Sequence, residues 1–244
     1  MHVSPGSRLR ILFSKLCLAV GWIVLVSQSA AASDPSRESE PGADASCVKT
    51  SVEGIQRFYD SVYDLEGRFV QTTESVGFGA ALSGESSKSE GRVVLAKPGR
   101  MRWEYLSPEP SLVISDGKQL WIYDESAREA QRFAVTEEYL SGAALQFLVG
   151  GGILQEAYEI RGGACSGSMV DLLLFPRRAA TYERLELRAN RETGEILETV
   201  LVDLLGNKTR LALHDIRTNR GPAASSFVFV APPGVRVIDL VPGE

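Results

Sequence analysis

Apolar and polar positions alternate along most of this chain, and the period of the alternation changes near residue 69. In "CVKTSVEGIQRFYDSVYDLEGRF" the apolar residues Val48, Val52, Ile55, Tyr59 and Val62 recur at helical spacing. That spacing predicts an amphipathic helix of about four turns. Beyond it the period is two. "GRFVQTTESV", "EGRVVLAK", "GRMRWEYL", "SLVIS", "QLWIYD" and "QRFAV" read as strands, rich in β-branched and aromatic residues. In the third of these, Met101, Trp103 and Tyr105 share one face, and Arg100, Arg102 and Glu104 share the other. "SDGK" is a hairpin turn in which Gly117 supplies the positive φ. Both faces of "QLWIYD" are apolar, with Trp121 and Tyr123 on one and Leu120 and Ile122 on the other. Alternation therefore does not say which of them points inward.

"EEYLSGAALQFLVGGGILQEAYEI" interrupts the strands. Tyr139, Ala143, Phe147 and Leu148 predict a short apolar helix that stops at Gly150, Gly151 and Gly152. Strands resume in "SMVDLLLFPR", "TYERLELRAN", "ILETVLVDLL", "KTRLALHDIR" and "SSFVFVAP", and "APPGVRVIDL" ends in a short extended piece. The sum is roughly ten or eleven strands and two helices without βαβ alternation. The expected class is mainly β (α+β), with one antiparallel and strongly curved sheet. From alternation alone, the face carrying Met101, Trp103 and Tyr105 is either the core of a sandwich or barrel or the wall of a cavity.

The first 46 residues do not fit this pattern. Arg8, Arg10 and Lys15 precede the apolar run "LCLAVGWIVLV", which is short for a membrane span, and Ala30 and Ala32 follow at cleavage-site spacing. Residues 1–32 read as an export signal cleaved after Ala32, the alternative being an uncleaved anchor. Residues 33–46 are polar and proline-bearing and read as a disordered leader. Residues 47–244 are then a single domain. The net charge of −5 argues against nucleic acid as a partner. Signal removal takes Cys17 away and leaves Cys47 and Cys165, an even pair in an oxidising compartment, expected to form a disulfide.

Candidate chemistry is sparse. His214 is the one histidine after the signal, and no G-x-S-x-G elbow accompanies it. The same shortage removes histidine-based metal sites. Ser115 and Lys118 match S-x-x-K, but across a hairpin turn, where they share no helix face. Gly150–Gly152 precede no Gly-Lys-Ser/Thr and are not a phosphate loop. Asn207-Lys208-Thr209 fits a glycosylation sequon, which says nothing of catalysis. The inventory points to a binding protein without metal or cofactor, not to an enzyme.

Four stretches in order resemble the outer-membrane lipoprotein carrier family. They are Phe69-Val70-Gln71, "EGRVVLAKPGRMRWEY", "SDGKQLWIYD" and the closing "FVFVAPPGVRV". The resemblance implies an incomplete antiparallel β-barrel whose concave apolar side is covered by helices. It implies a periplasmic monomer that takes acylated lipoproteins from an inner-membrane ABC transporter to an outer-membrane acceptor. On this resemblance Phe69, Met101, Trp103, Tyr105 and Trp121 are expected to line an acyl-chain cavity. Lys97 stands where the family usually has an arginine that helps hold the helical lid, and lysine lacks its planar fork of donors. The cysteine pair departs from the general family pattern. The alternatives are a related half-barrel sensor that binds a protein partner, or a small lipid-binding protein.

Overall fold

The computed structural model describes residues 45–76, 86–135 and 152–240, all within one compact unit. Twelve strands in these residues form one sheet. They are β1 (Asp64–Glu74), β2 (Ser86–Ala96), β3 (Arg100–Ser107), β4 (Ser111–Asp116), β5 (Gln119–Asp124), β6 (Glu129–Ala134), β7 (Tyr158–Ser166), β8 (Met169–Pro176), β9 (Tyr182–Asn190), β10 (Ile196–Asp203), β11 (Lys208–Thr218) and β12 (Arg236–Asp239). The spatial order is β12-β6-β5-β4-β3-β2-β1-β11-β10-β9-β8-β7. β12 and β7 are edges that do not pair with each other, so the barrel is open, as the resemblance implies.

Neighbouring strands are antiparallel except β12, which runs parallel to β6. It is fastened there by the Arg132–Asp239 and Arg236–Glu129 ion pairs. Two elements differ from the sequence reading. "SSFVFVAP" forms a 3-10 turn at Ala224–Phe227 and then an unpaired extended run, because Phe227 and Phe229 pack on the sheet instead of joining its ladder. β7 had no strand signature, since Gly162 and Gly163 break its alternation where the β7–β8 register shifts. The expected helix at Tyr139–Leu148, the signal and most of the leader lie outside the described residues.

Helix α1 (Ala45–Ser61) begins two residues before Cys47 and buries Cys47, Ser51, Val52, Ile55 and Tyr59. It packs on the inner face against β7 and β8. A single turn, α2 (Leu154–Ala157), precedes β7 and buries Leu154. One apolar cluster runs through the inner face. It takes Leu65 and Phe69 from β1, Val93 and Leu95 from β2, and Trp103 and Tyr105 from β3. On the far side it takes Val170, Leu172 and Leu174 from β8 and Leu185, Leu187 and Ala189 from β9. These residues follow the period-two pattern, which puts alternate side chains on one face.

The end of α1 is closed by side chains. Lys97 Nζ donates to the Tyr59 carbonyl, Ser61 Oγ to the Phe58 carbonyl, and Asn219 Nδ2 to the Ser61 carbonyl. The last carbonyls of a helix have no partner within it, so these donors satisfy them. The Lys97 ammonium also meets the negative end of the helix dipole.

Candidate functional site

The inner face has an aromatic centre built from three adjacent strands. Phe69 of β1, Gly91 of β2 and Tyr105 of β3 stand opposite one another in register. With no side chain at Gly91, the Phe69 ring lies across β2, and a Cβ there would sit 2.7 Å from it. The ring reaches Trp103 at a centroid distance of 4.7 Å and Tyr105 at 5.1 Å in an edge-to-face arrangement. All three rings are buried. Such pairs add about 0.5–1.5 kcal/mol beyond burial.

Polar groups at this centre are few. The Tyr105 hydroxyl donates to Gln71 Oε1 at 3.0 Å. Burial pushes the Tyr105 phenol up to about 12. The neighbouring Trp103 indole opposes that rise, yet its N–H has no hydrogen-bond partner among the described residues. No cluster of metal-ligating side chains stands among the described residues.

The register extends the face from this centre toward β6. Trp103 pairs with Val113, Val113 with Ile122, and Met101 with Ser115, which pairs with Leu120 and then Phe133. Leu120 is buried, while Met101, Ile122 and Phe133 are half-buried against the same cluster. Leu120, Ile122 and Phe133 were not foreseen as part of the face. The available signal was the turn: a two-residue hairpin at Gly117-Lys118 sets Leu120 opposite Ser115, and parity does the rest. Gly117 has φ +93°, as expected for such a turn.

Trp121 requires a correction. It pairs with Ile114 and Arg132, on the opposite face from Trp103. There its ring packs against Phe229 at 5.2 Å, under the Arg132 guanidinium at 5.4 Å. The closing segment covers this outer face, so Trp121 has an apolar neighbour without facing inward. The structure brings Phe69, Met101, Trp103 and Tyr105 onto one face and sets Trp121 apart from them.

Lys97, at the exit of β2, touches α1 through the Tyr59 carbonyl, and its own N–H donates to the Tyr63 carbonyl at 2.8 Å. At the other end of α1, Cys47 is bridged to Cys165 of β7, with Cα atoms 6.8 Å apart. The Tyr59 hydroxyl accepts from Ile196 N–H at 3.3 Å between these two anchors. The helix is thus held at both ends and near its last turn.

The family model described as outer membrane lipoprotein carrier protein LolA matches residues 60–230. An outer-membrane lipoprotein carrier protein of Alkalilimnicola ehrlichii is 33% identical over 188 residues, which are 76% of this chain and 82% of that protein. One from Chromobacterium violaceum is 28% identical over 203 residues, 81% of this chain and 91% of that protein. Among solved structures, a LolA superfamily protein from Nitrosomonas europaea covers 74% of this chain and 97% of its own, with 13% identity and a TM-score of 0.41.

Proposed function

This chain belongs to the outer-membrane lipoprotein carrier family, and from that premise we propose that it carries lipoproteins across the periplasm with their acyl chains held on the inner face of the open barrel. Cargo comes from an inner-membrane ABC transporter and goes to an outer-membrane acceptor. The carrier itself uses no cofactor, does no covalent chemistry and works as a monomer. Export places it in the periplasm after loss of residues 1–32, and residues 47–244 form its single domain.

The observation that carries this reading is the inner face from Phe69 and Trp103 to Phe133. It is apolar across six adjacent strands, aromatic at its centre and poor in hydrogen-bonding groups. Moving an acyl chain into water costs about 0.8 kcal/mol per methylene, so a lipoprotein needs such a face to leave a membrane. Aromatic rings and methionine offer broad contact without demanding one ligand shape.

The two anchors of α1 add a constraint on movement. A helix bridged at Cys47 and held at the Tyr59 carbonyl by Lys97 acts as a fixed wall. Acyl chains then reach the face from the side of β2 to β6, away from the α1 contacts with β7 and β8. The test is to titrate the purified protein with a triacylated lipopeptide and, separately, with its deacylated peptide. Saturable binding of the first alone is expected. No binding of the acylated form, or equal binding of both, would overturn the reading.

A further inference from the structure

Among the described residues, hollows flank α1 where it meets α2 and β7. The smaller, of about 230 Å³, is lined by both signs of charge, Glu53 and Arg57. The larger, of about 450 Å³, has Val48, Val52, Tyr158 and Ile160 as its apolar lining and Lys49 and Arg177 as its charged residues. Among the described residues, no carboxylate lines it. Its volume lies in the range of small-molecule sites, about 300–1,000 Å³.

The two cations are differently prepared. Arg177 Nε donates to the carbonyls of Gln155 at 3.0 Å and Tyr158 at 3.1 Å. Those bonds fix the guanidinium and leave its terminal nitrogens without a partner among the described residues. Lys49 makes no ion pair among the described residues. Glu159, a nearby acid that feels the Arg177 charge, has its oxygens engaged by Arg161 at 3.2 and 3.4 Å. The walls are fixed as well, since Cys47 of α1 is bridged to Cys165 of β7. A site held open in this way spends little binding free energy on ordering itself.

We propose that this hollow binds the anionic head of a single-chain amphiphile, a carboxylate or a phosphate, between Lys49 and Arg177, with the first methylenes on Val48, Val52, Ile160 and the Tyr158 ring. Arginine suits either anion through its planar fork, and lysine adds a point charge. The site does not depend on the acyl-chain reading of the inner face, because neither Phe69 nor Trp103 lines it.

The test is calorimetric titration of the purified, disulfide-intact protein with dodecanoate, dodecyl phosphate and the uncharged dodecyl maltoside. Wild type, Lys49→Gln/Arg177→Gln and Lys49→Arg/Arg177→Lys are compared, each also titrated with the triacylated lipopeptide. One or both anions should bind wild type and the charge-conserving variant. The double glutamine variant should lose at least about tenfold in affinity, as expected for charge-assisted hydrogen bonds, with lipopeptide binding unchanged. A carboxylate preference indicates a fatty acid, and a phosphate preference indicates a single-chain phosphate lipid such as a lysophospholipid; either supports the site. Equal binding of dodecyl maltoside, or anion binding that survives the double glutamine change, would overturn it. Loss of lipopeptide binding alone would count against the inner-face reading and leave this one standing.

Discussion

The same substitution at two glycines should change stability in opposite directions. At Gly91 an alanine Cβ would lie 1.9 Å from the Glu104 carbonyl oxygen and 2.7 and 2.8 Å from the Phe69 ring. The first contact is with backbone, so no rotamer relieves it, and β2 must part from β3 or Phe69 must leave its place. Overpacking of a core costs about 1–3 kcal/mol, and a backbone clash belongs at the upper end. About 3 kcal/mol in a chain of this size lowers Tm by roughly 6–12 °C. At Gly54, inside α1, the nearest atom to an added Cβ is the Arg191 carbonyl oxygen at 3.8 Å, an ordinary contact. Replacing a helical glycine by alanine there should stabilise by about 0.5–1 kcal/mol. Urea unfolding of wild type, Gly91→Ala and Gly54→Ala reads both signs, and near-UV circular dichroism reports the packing of Phe69, Trp103 and Tyr105. A Gly91→Ala protein within about 0.5 kcal/mol of wild type, a spread ordinary for surface changes, would refute the Phe69 crossing.

Three further outcomes follow from the anchors and the aromatic centre. The bridge closes a loop of 118 residues, so replacing both Cys47 and Cys165 by serine should cost up to about 4.9 kcal/mol in the chain-entropy model, read as a lower urea midpoint. An unchanged midpoint would remove the bridge from the account. Lys97→Met should lose about 1 kcal/mol by removing the ammonium from the Tyr59 carbonyl, which keeps its bond from Val62 N–H, and Lys97→Arg should restore it; equal stability of all three proteins would deny Lys97 its anchoring role. Burial pushes the Tyr105 phenol up to about 12, above its unfolded value of about 10, so the folded state holds its proton longer. Its contribution is full below about pH 10 and is lost as the pH rises toward about 12, about 3 kcal/mol in all. Tyr105→Phe should flatten that alkaline slope, and an identical slope in both proteins would contradict the burial of this phenol.

Much of this arrangement is legible in the sequence because alternation is a direct physical signal. A strand with one buried face must put every second residue inward, so Met101, Trp103 and Tyr105 could be grouped before any coordinates. The bridge was legible for a different reason, since the expected export signal holds Cys17 and leaves Cys47 and Cys165 as a pair. Trp121 was misplaced because "QLWIYD" is apolar on both faces. Its outer face is covered by Phe229, more than a hundred residues later, and local periodicity carries no trace of a contact so distant. β7 was missed because its glycines erase the period. The two-cation hollow was hidden for the same kind of reason: Lys49 and Arg177 are 128 positions apart and meet only once α1 lies beside β7. Family resemblance singled out Lys97, and what the structure shows of it is a hydrogen bond to the Tyr59 carbonyl of α1.

Among residues 33–244, the tryptophans are Trp103, on the inner face, and Trp121, on the outer face. That division permits a direct test of where acyl chains lie. A lipopeptide with brominated acyl chains is titrated into Trp121→Phe, which keeps Trp103 alone, and into Trp103→Phe, which keeps Trp121 alone. Bromine quenches indole fluorescence only at contact. The account predicts saturable quenching in Trp121→Phe and none in Trp103→Phe. Quenching of Trp121 with Trp103 unaffected would contradict it.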